Sequence, residues 1–154
     1  MKNTDVDHES DEMDVEIVKE AWSKYTLDDG SLIKVRSVLT KVVWPRRAKT
    51  ILDLDGHLTV SVQNVVCVIA PNHLRGKPNP RPPSINKALV EKSRIVEIKN
   101  SKEEWSTYSL PDNKGIVKVR AVVASVRNVG GQRDQDGDPL YLVNASTEVV
   151  PELS

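Results

Sequence analysis

The sequence WSKYTLDDGSLIKVRSVL at residues 22–39 has a second version, WSTYSLPDNKGIVKVRAVV, at residues 105–123. The motif Lys-Val-Arg lies near the end of both versions, at residues 34–36 and 118–120. A fixed internal offset of this kind predicts that a small structural unit occurs twice in the chain. The residues that recur at a constant spacing before this motif are Trp22, Ser23, Tyr25 and Leu27, which correspond to Trp105, Ser106, Tyr108 and Leu110.

The similarity extends beyond this stretch in both directions. Upstream, Val-Glu-Ile at residues 15–17 returns at residues 96–98, and downstream Asp-Gly at residues 55–56 returns at residues 136–137. Units of this size are marginally stable alone, so we expect the two copies to pack together. The predicted segments are an acidic tail at residues 1–14, a first β unit at 15–70, a linker at 71–94 and a second β unit at 95–154.

Both units have the composition of β-strands. The chain contains no Phe and many Val residues, and a β-branched side chain packs well on a pleated sheet. Ser23, Tyr25 and Leu27 share one face of a strand, as a two-residue period requires. We predict an all-β fold, in which a tandem duplication of a small Val-rich meander closes toward a barrel. The alternative is a single sandwich in which the two copies exchange strands.

The long strand predicted at residues 32–44 changes its apolar phase along its length. Val35 lies in one phase and Val42 lies in the other. A β-bulge or bend lets one strand serve two faces, as strands do at the corners of small barrels. We predict this bend at Ser37 and, in the second unit, at Ala121.

The net charge of zero is a cancellation between segments. Residues 1–16 contain seven Asp or Glu and one Lys, so the remaining 138 residues carry a net charge of +6. The first 14 residues have few apolar side chains and cannot bury enough surface to offset the entropy cost of ordering. We predict that they form a disordered tail.

Prolines mark the linker between the two units. Five of the nine prolines lie between Pro71 and Pro83, which predicts an extended and rather stiff segment. Ser84 then has the side chain of a helix N-cap. We predict a short helix from Ile85 to about Lys92.

The single cysteine, Cys67, lies in an apolar run and is predicted to be a small buried hydrophobic side chain. Because one cysteine cannot form an internal disulfide, nothing in the sequence requires an oxidising compartment. No segment approaches the roughly 18 apolar residues of a membrane span. We expect a cytoplasmic protein without a membrane partner.

Three aspartates, Asp134, Asp136 and Asp138, alternate around Gly137 in the way that calcium loops begin. The EF-hand pattern requires Gly at the sixth position and Glu at the twelfth, whereas here Gly is fourth and Ala145 is twelfth. An Asp-Gly hairpin turn explains the loop without an ion. Calcium binding stays open at this point, and we predict no metal site and no cofactor.

The sequence gives no positive indication of catalysis. His8, His57 and His73 lie in the tail, at a turn and in the linker, and none has a counterpart in the other copy. Gly130 and Gly131 precede no helical pattern and lack the Lys-Ser/Thr of a phosphate-binding loop. We therefore predict no catalytic residues and no enzymatic activity.

Basic residues are the best indication of a binding surface. Residues 46–102 contain eleven Lys or Arg and four Asp or Glu, a local net charge of +7. In the linker these cations stand among prolines, as in extended arms that follow phosphates, and the repeated Lys-Val-Arg motif adds two cations per unit. The candidate nucleic-acid-binding residues are Arg46, Arg47, Arg75, Lys77, Arg81, Lys34, Arg36, Lys118 and Arg120.

Two functions fit these observations. The first is a non-catalytic binding or scaffolding module for a protein partner or for self-association, because the duplication preserves strand-forming positions and leaves strand edges that can pair with other chains. The alternative is a nucleic-acid-binding protein that uses the basic linker and basic strand faces. In that alternative the acidic tail acts as an internal competitor for the basic surface.

Overall fold

A computed structural model of the chain describes residues 9–55 and 57–153. These residues are mostly in β-strands, as predicted, and the strands form two antiparallel sheets. Both sheets are open, so the predicted closure toward a barrel is not found. The strands are β1 Ser10–Met13, β2 Glu16–Lys19, β3 Ser23–Leu27, β4 Leu32–Pro45, β5 Thr59–Ile69, β6 Ser93–Val96, β7 Ile98–Lys102, β8 Ser106–Ser109, β9 Ile116–Arg133 and β10 Pro139–Glu152. The helices are α1 Lys87–Glu91 and the short 3-10 helices Ile51–Leu54, Asn72–Leu74 and Pro111–Asn113.

The first sheet, which we call sheet 1, is built on the 14-residue strand β4. One edge of β4 pairs with β5, from Leu32 opposite Ile69 to Val43 opposite Thr59. The other edge pairs with β3 along its N-terminal half and with β1 along its C-terminal end. β7 pairs with the far side of β3 and completes the sheet.

The second sheet, sheet 2, has the same arrangement around β9. One edge of β9 pairs with β10, and the other edge is shared by β8 and β6. β2 pairs with the far side of β8 and completes the sheet. β2 therefore lies in sheet 2 although it precedes β3, and β7 lies in sheet 1 although it precedes β8. The two halves of the chain exchange one strand each instead of forming separate units.

Both long strands contain a β-bulge, three residues beyond the predicted position. In β4 the buried side chains alternate up to Leu39, the pattern skips Thr40, and burial resumes two residues later. β9 skips Ala124 in the same way. The prediction at Ser37 and Ala121 was wrong, because both side chains are buried in phase with the strand before the bulge.

Two hydrophobic cores join the halves of the chain. Each core combines residues of the hairpin that opens one half with later residues of the other half, so neither half buries its apolar residues alone. The first core contains Tyr108, Leu110, Val117 and Val119 together with Leu39, Val42, Trp44, Ala48, Ile51 and Leu54. The second core contains Tyr25, Leu27, Ile33 and Val35 together with Ala121, Val123, Val126 and Tyr141.

Two tyrosine hydroxyl groups connect the halves in a reciprocal way. Tyr25 Oη donates to Glu103 Oε2 at 2.6 Å and accepts from the backbone N–H of Val123 at 3.0 Å. Tyr108 Oη donates to Glu20 Oε2 at 3.0 Å. Each tyrosine thus bonds a glutamate of the other half of the chain. That glutamate lies just before the other half's copy of the repeated stretch.

The segments outside the two β units differ from prediction. Residues 10–13, predicted to be disordered, form β1 and pair with β4, while residues 1–8 of that predicted tail lie outside the described residues. α1 is capped by Asn86 rather than Ser84, since Asn86 Oδ1 accepts from the Leu89 N–H at 2.9 Å. In the part of the chain that the structure describes, no helix is long and apolar enough to cross a membrane.

Candidate interaction surface

Sheet 1 carries a row of lysines on the face that points away from the cores. Lys102, Lys24 and Lys34 are direct neighbours on β7, β3 and β4. Tyr25 and Val35 are buried on the inner face, so the alternation of a strand directs Lys24 and Lys34 outward. Like charges directly opposite each other in a sheet repel. This row therefore costs stability unless anionic groups lie near it.

Trp22 lies beside the row and holds two cations on its ring. The Lys34 ammonium nitrogen is 4.5 Å from the ring centroid and the Arg36 guanidinium carbon is 5.0 Å from it. Such cation–π contacts stabilise by about 0.5–1 kcal/mol at exposed sites. Glu20 Oε1 lies 3.8 Å from Arg36 Nη1, a long ion pair. We call this surface the cationic patch, and its members are Trp22, Lys24, Lys34, Arg36 and Lys102.

The corresponding face of sheet 2 has its cations neutralised. Arg120 lies over the Trp105 ring at 4.5 Å, and its Nε donates to Glu148 Oε1 at 2.8 Å. Lys118 Nζ lies 3.2 Å from Glu152 Oε2. Both glutamates belong to β10. Two predicted binding residues, Lys118 and Arg120, are therefore engaged with carboxylates of their own sheet.

The neighbouring strand explains the difference between the two faces. Arg120 lies opposite Glu148, whereas Arg36 lies opposite Val65. β5 has no charged residue in its 11 positions, so it supplies no carboxylate to the cationic patch. Within the described residues, Lys24 and Lys34 form no ion pair, while Lys102 Nζ lies 3.3 Å from Glu104 Oε1.

β5 is also an open strand edge without charged residues. Among the described strands it pairs with β4 alone. Val65, Val66 and Ile69 are 43%, 45% and 51% exposed. Every other edge strand of the described chain carries at least one charged side chain, a feature that protects edges against pairing with other chains. β5 lacks this protection.

The predicted basic arm of the linker is attached to the turn before β10. Arg75 Nε lies 3.4 Å from Asp138 Oδ1, and Arg75 Nη2 donates to the Asp136 carbonyl at 2.6 Å. The Gly76 N–H also donates to the Gly137 carbonyl at 2.8 Å. Lys77 and Arg81, the other two linker cations predicted to bind phosphates, are exposed.

Arg46 and Arg47 contact acidic residues at the far end of β4. Arg46 Nη2 donates to Asp11 Oδ1 at 2.8 Å, and this hydrogen bond lowers the pKa of Asp11. Arg47 Nη1 donates to the Asp53 carbonyl at 3.0 Å. The nine predicted binding residues are thus dispersed, and only Lys34 and Arg36 belong to the cationic patch.

The three aspartates of the 134–138 turn come together, with carboxylate oxygens within 4.8 Å of one another. Asp134 Oδ1 accepts from the Asp136 and Asp138 N–H groups at 2.9 and 3.0 Å. Burial raises the pKa of Asp138, while Arg75 acts in the opposite direction. The hydrogen bonds that Asp134 accepts within the turn account for the clustering of the three aspartates.

Sequence reasoning missed the edge of β5 and the contributions of Lys24 and Lys102. The two lysines come from different halves of the chain, and neither belongs to the repeated motif. A usable signal was present in the contrast between the charge-free segment 59–69 and the glutamates of β10.

No protein-family model, curated protein or solved structure matches the chain.

Proposed function

We propose that the protein is a non-catalytic binding module that takes up an extended segment of a partner protein as an added strand along β5. The observation that carries this proposal is the edge itself, which is 11 residues long, free of charge and lined by exposed Val65, Val66 and Ile69. A strand that pairs with this edge gains main-chain hydrogen bonds for affinity and side-chain contacts for specificity.

The rest of the molecule is suited to act as a rigid support for such an edge. β5 is bonded along its length to β4, and β4 contributes buried side chains to both cores. We infer that this support arose by tandem duplication, because β4 and β9 have equivalent partners and bulges at equivalent positions. The linker at residues 71–94 and the cytoplasmic location stay predictions from the sequence.

The proposal is tested with the full chain and a displayed library of short random peptides. Val66→Lys adds a charge to the edge, as natural edge strands do to prevent pairing. We expect selected peptides to bind the unmodified chain and to bind Val66→Lys at least about tenfold more weakly, a difference of about 1.4 kcal/mol. Ile17→Lys is the matched control, since Ile17 is 63% exposed on the other sheet's edge strand β2.

Hydrogen exchange of the complex identifies the bound strand. Amide protons of β5 are expected to exchange more slowly with peptide bound, because the added strand pairs with them. Failure to select any peptide, or peptides that bind Val66→Lys and the unmodified chain equally, would contradict the proposal. A dimer of the unmodified chain that Val66→Lys converts to a monomer would instead identify a second copy as the occupant.

Nucleic acid binding is the second candidate, and the lysine row beside Trp22 favours it. Single-stranded nucleic acids bind where a positively charged groove is combined with aromatic side chains. Against this candidate, Arg46 and Arg75 are already paired with carboxylates. Titration with single- and double-stranded DNA and RNA at two salt concentrations tests it, since phosphate contacts give affinities that fall steeply with salt.

A further inference from the structure

A difference between the two sheets indicates the chemistry of the partner, given the proposed function of β5. In sheet 2, strand β10 brings Glu148 and Glu152 to Arg120 and Lys118. In sheet 1, strand β5 occupies the place of β10 but has no acidic residue. The same arrangement of cations thus has carboxylates on the neighbouring strand in sheet 2 but not in sheet 1.

The cations of sheet 1 have only partial substitutes for these carboxylates. Lys34 and Arg36 lie on the Trp22 ring, and Glu20 is 3.8 Å from Arg36. Arg36 Nε is buried without a hydrogen-bond partner among the described residues. A buried guanidinium N–H without a partner carries a desolvation cost. An acceptor that reached Arg36 would remove part of this cost.

An added strand next to β5 would present side chains within reach of these cations. Adjacent strands lie about 4.8 Å apart, so the added strand would lie about 10 Å from β4. This gap is wider than the roughly 7–8 Å between diagonal neighbours on paired strands, so a long side chain is needed from each strand. Lys34 and Arg36 lie over Trp22 on the β3 side of β4, so these cations must turn toward β5 to meet the added strand. The outward residues of β5 beside Arg36 and Lys34 are Val65 and Cys67, which are both short.

The two faces of the added strand would meet different surroundings. Its outward side chains would face the cationic patch across Val65 and Cys67. Its inward side chains would lie beside Val66, which shares the phase of the buried Val35 and is 45% exposed. A strand that satisfies both surfaces has acidic residues at alternate positions and apolar residues between them.

We propose that the segment bound along β5 is acidic, with carboxylates at every second residue facing Lys34 and Arg36 and apolar side chains between them. Charge complementarity selects this occupant over a neutral or basic strand. The open strand edge selects a peptide over a nucleic acid, which has no backbone N–H groups to pair with the carbonyls of β5.

The test uses the full chain and three short capped peptides of equal length. The first alternates Glu and Val, the second alternates Gln and Val, and the third has the composition of the first in a block order. We expect the first peptide to bind most tightly at low salt, by about tenfold over the second, as two exposed ion pairs would give. Raising the salt concentration should reduce this preference, because exposed ion pairs are screened.

Two pairs of substitutions locate the charge contacts. Lys34→Gln with Arg36→Gln should remove the preference for the Glu-Val peptide, whereas Lys118→Gln with Arg120→Gln on sheet 2 should leave it unchanged.

Val65→Glu gives β5 the carboxylate that Glu148 gives β10. We expect Val65→Glu to weaken both peptides, because it adds a charge to the edge. It should weaken the Glu-Val peptide more than the Gln-Val peptide, by about a further tenfold, since the new carboxylate also takes the cations that the peptide's Glu side chains would meet.

The single thiol of the chain provides an independent readout. Cys67 lies on β5 opposite Lys34, so a bound strand should slow its alkylation. Equal binding and equal protection of Cys67 by the Glu-Val and Gln-Val peptides would overturn the acidic preference while the proposed function stands. Absence of protection by any peptide would contradict both proposals. Binding of single-stranded DNA that requires Lys34 and Arg36, without peptide binding, would identify a nucleic acid as the occupant.

Discussion

Tyrosine hydroxyl groups connect distant parts of the chain through buried polar contacts. In addition to the two reciprocal pairs, Tyr141 Oη lies 2.7 Å from Ser31 Oγ and donates to Asp29 Oδ2. Burial, followed by a neighbouring carboxylate, raises the pKa of Tyr25 to about 12. Burial also raises the pKa of Tyr108 and Tyr141. All three tyrosines of the chain therefore resist ionisation while the protein is folded.

Stability is expected to fall in alkaline solution as these tyrosines ionise. An unfolded tyrosine has a pKa of about 10, so the contribution of Tyr25 is fully present below pH 10 and is lost as the pH rises through about 12. Phenolate absorbance and circular dichroism should change together in one alkaline titration. Tyr25→Phe should reduce the pH dependence and, by leaving Glu103 and the Val123 N–H without a partner, cost about 1–3 kcal/mol. Phenolate formation near pH 10 in a folded chain would contradict this prediction.

Tight turns set the pairing of the hairpins that open each half. Gly30 in the β3–β4 turn has φ of 92°, and Gly115 before β9 has φ of 141°. Both values lie in the region that favours glycine. The surroundings differ, because a Cβ at Gly115 would lie 2.7 Å from the Glu152 carbonyl oxygen, whereas a Cβ at Gly30 would lie 3.4 Å from Pro71 Cγ.

Substitution of the two glycines by alanine is therefore expected to have unequal effects. Gly30→Ala should cost about 1–3 kcal/mol for the backbone conformation alone. Gly115→Ala should cost more, because the end of β10 must also move away from the new methyl group. Urea denaturation of both variants with comparable m-values measures the difference. Equal losses of stability would show that the contact with Glu152 relaxes easily.

At the scale of the whole molecule, the exchanged strands make the halves interdependent. β2 pairs with β8 of the second half, and β7 pairs with β3 of the first half. Both cores also draw residues from both halves. Removal of either half would expose the apolar side of the other and leave its tyrosine or glutamate partners without bonds.

Separated half-chains are consequently expected not to fold as monomers. Residues 1–70 and residues 71–154 should each lack a cooperative thermal transition when monomeric, because a half-core does not bury enough apolar surface. Mixing the two should restore strand-rich circular dichroism and a single complex on size exclusion. A cooperative transition in either half as a monomer would contradict the interdependence of the cores.

The sequence alone was sufficient for the fold class and for several strand positions. The alternation of Ser23, Tyr25 and Leu27 predicts β3, and the Val-rich run predicts β4 to within one residue of its end at Pro45. These features are local, because the two-residue period of a strand is set by its own backbone. The positions of Lys34 and Arg36 on an outward strand face follow from the same period.

Tertiary structure alone decided which strands pair and which charges meet. β2 has only four residues, and its pairing with β8 joins segments far apart in the sequence. The bulge lies at Thr40 and not at the predicted Ser37, because burial against the other half, and not the local apolar pattern, sets the phase of β4. Lys102 joins the lysine row only because β7, from the second half of the chain, pairs with β3. Partner choice and cross-strand neighbours depend on contacts between residues far apart in sequence, so a pattern within one segment cannot specify them.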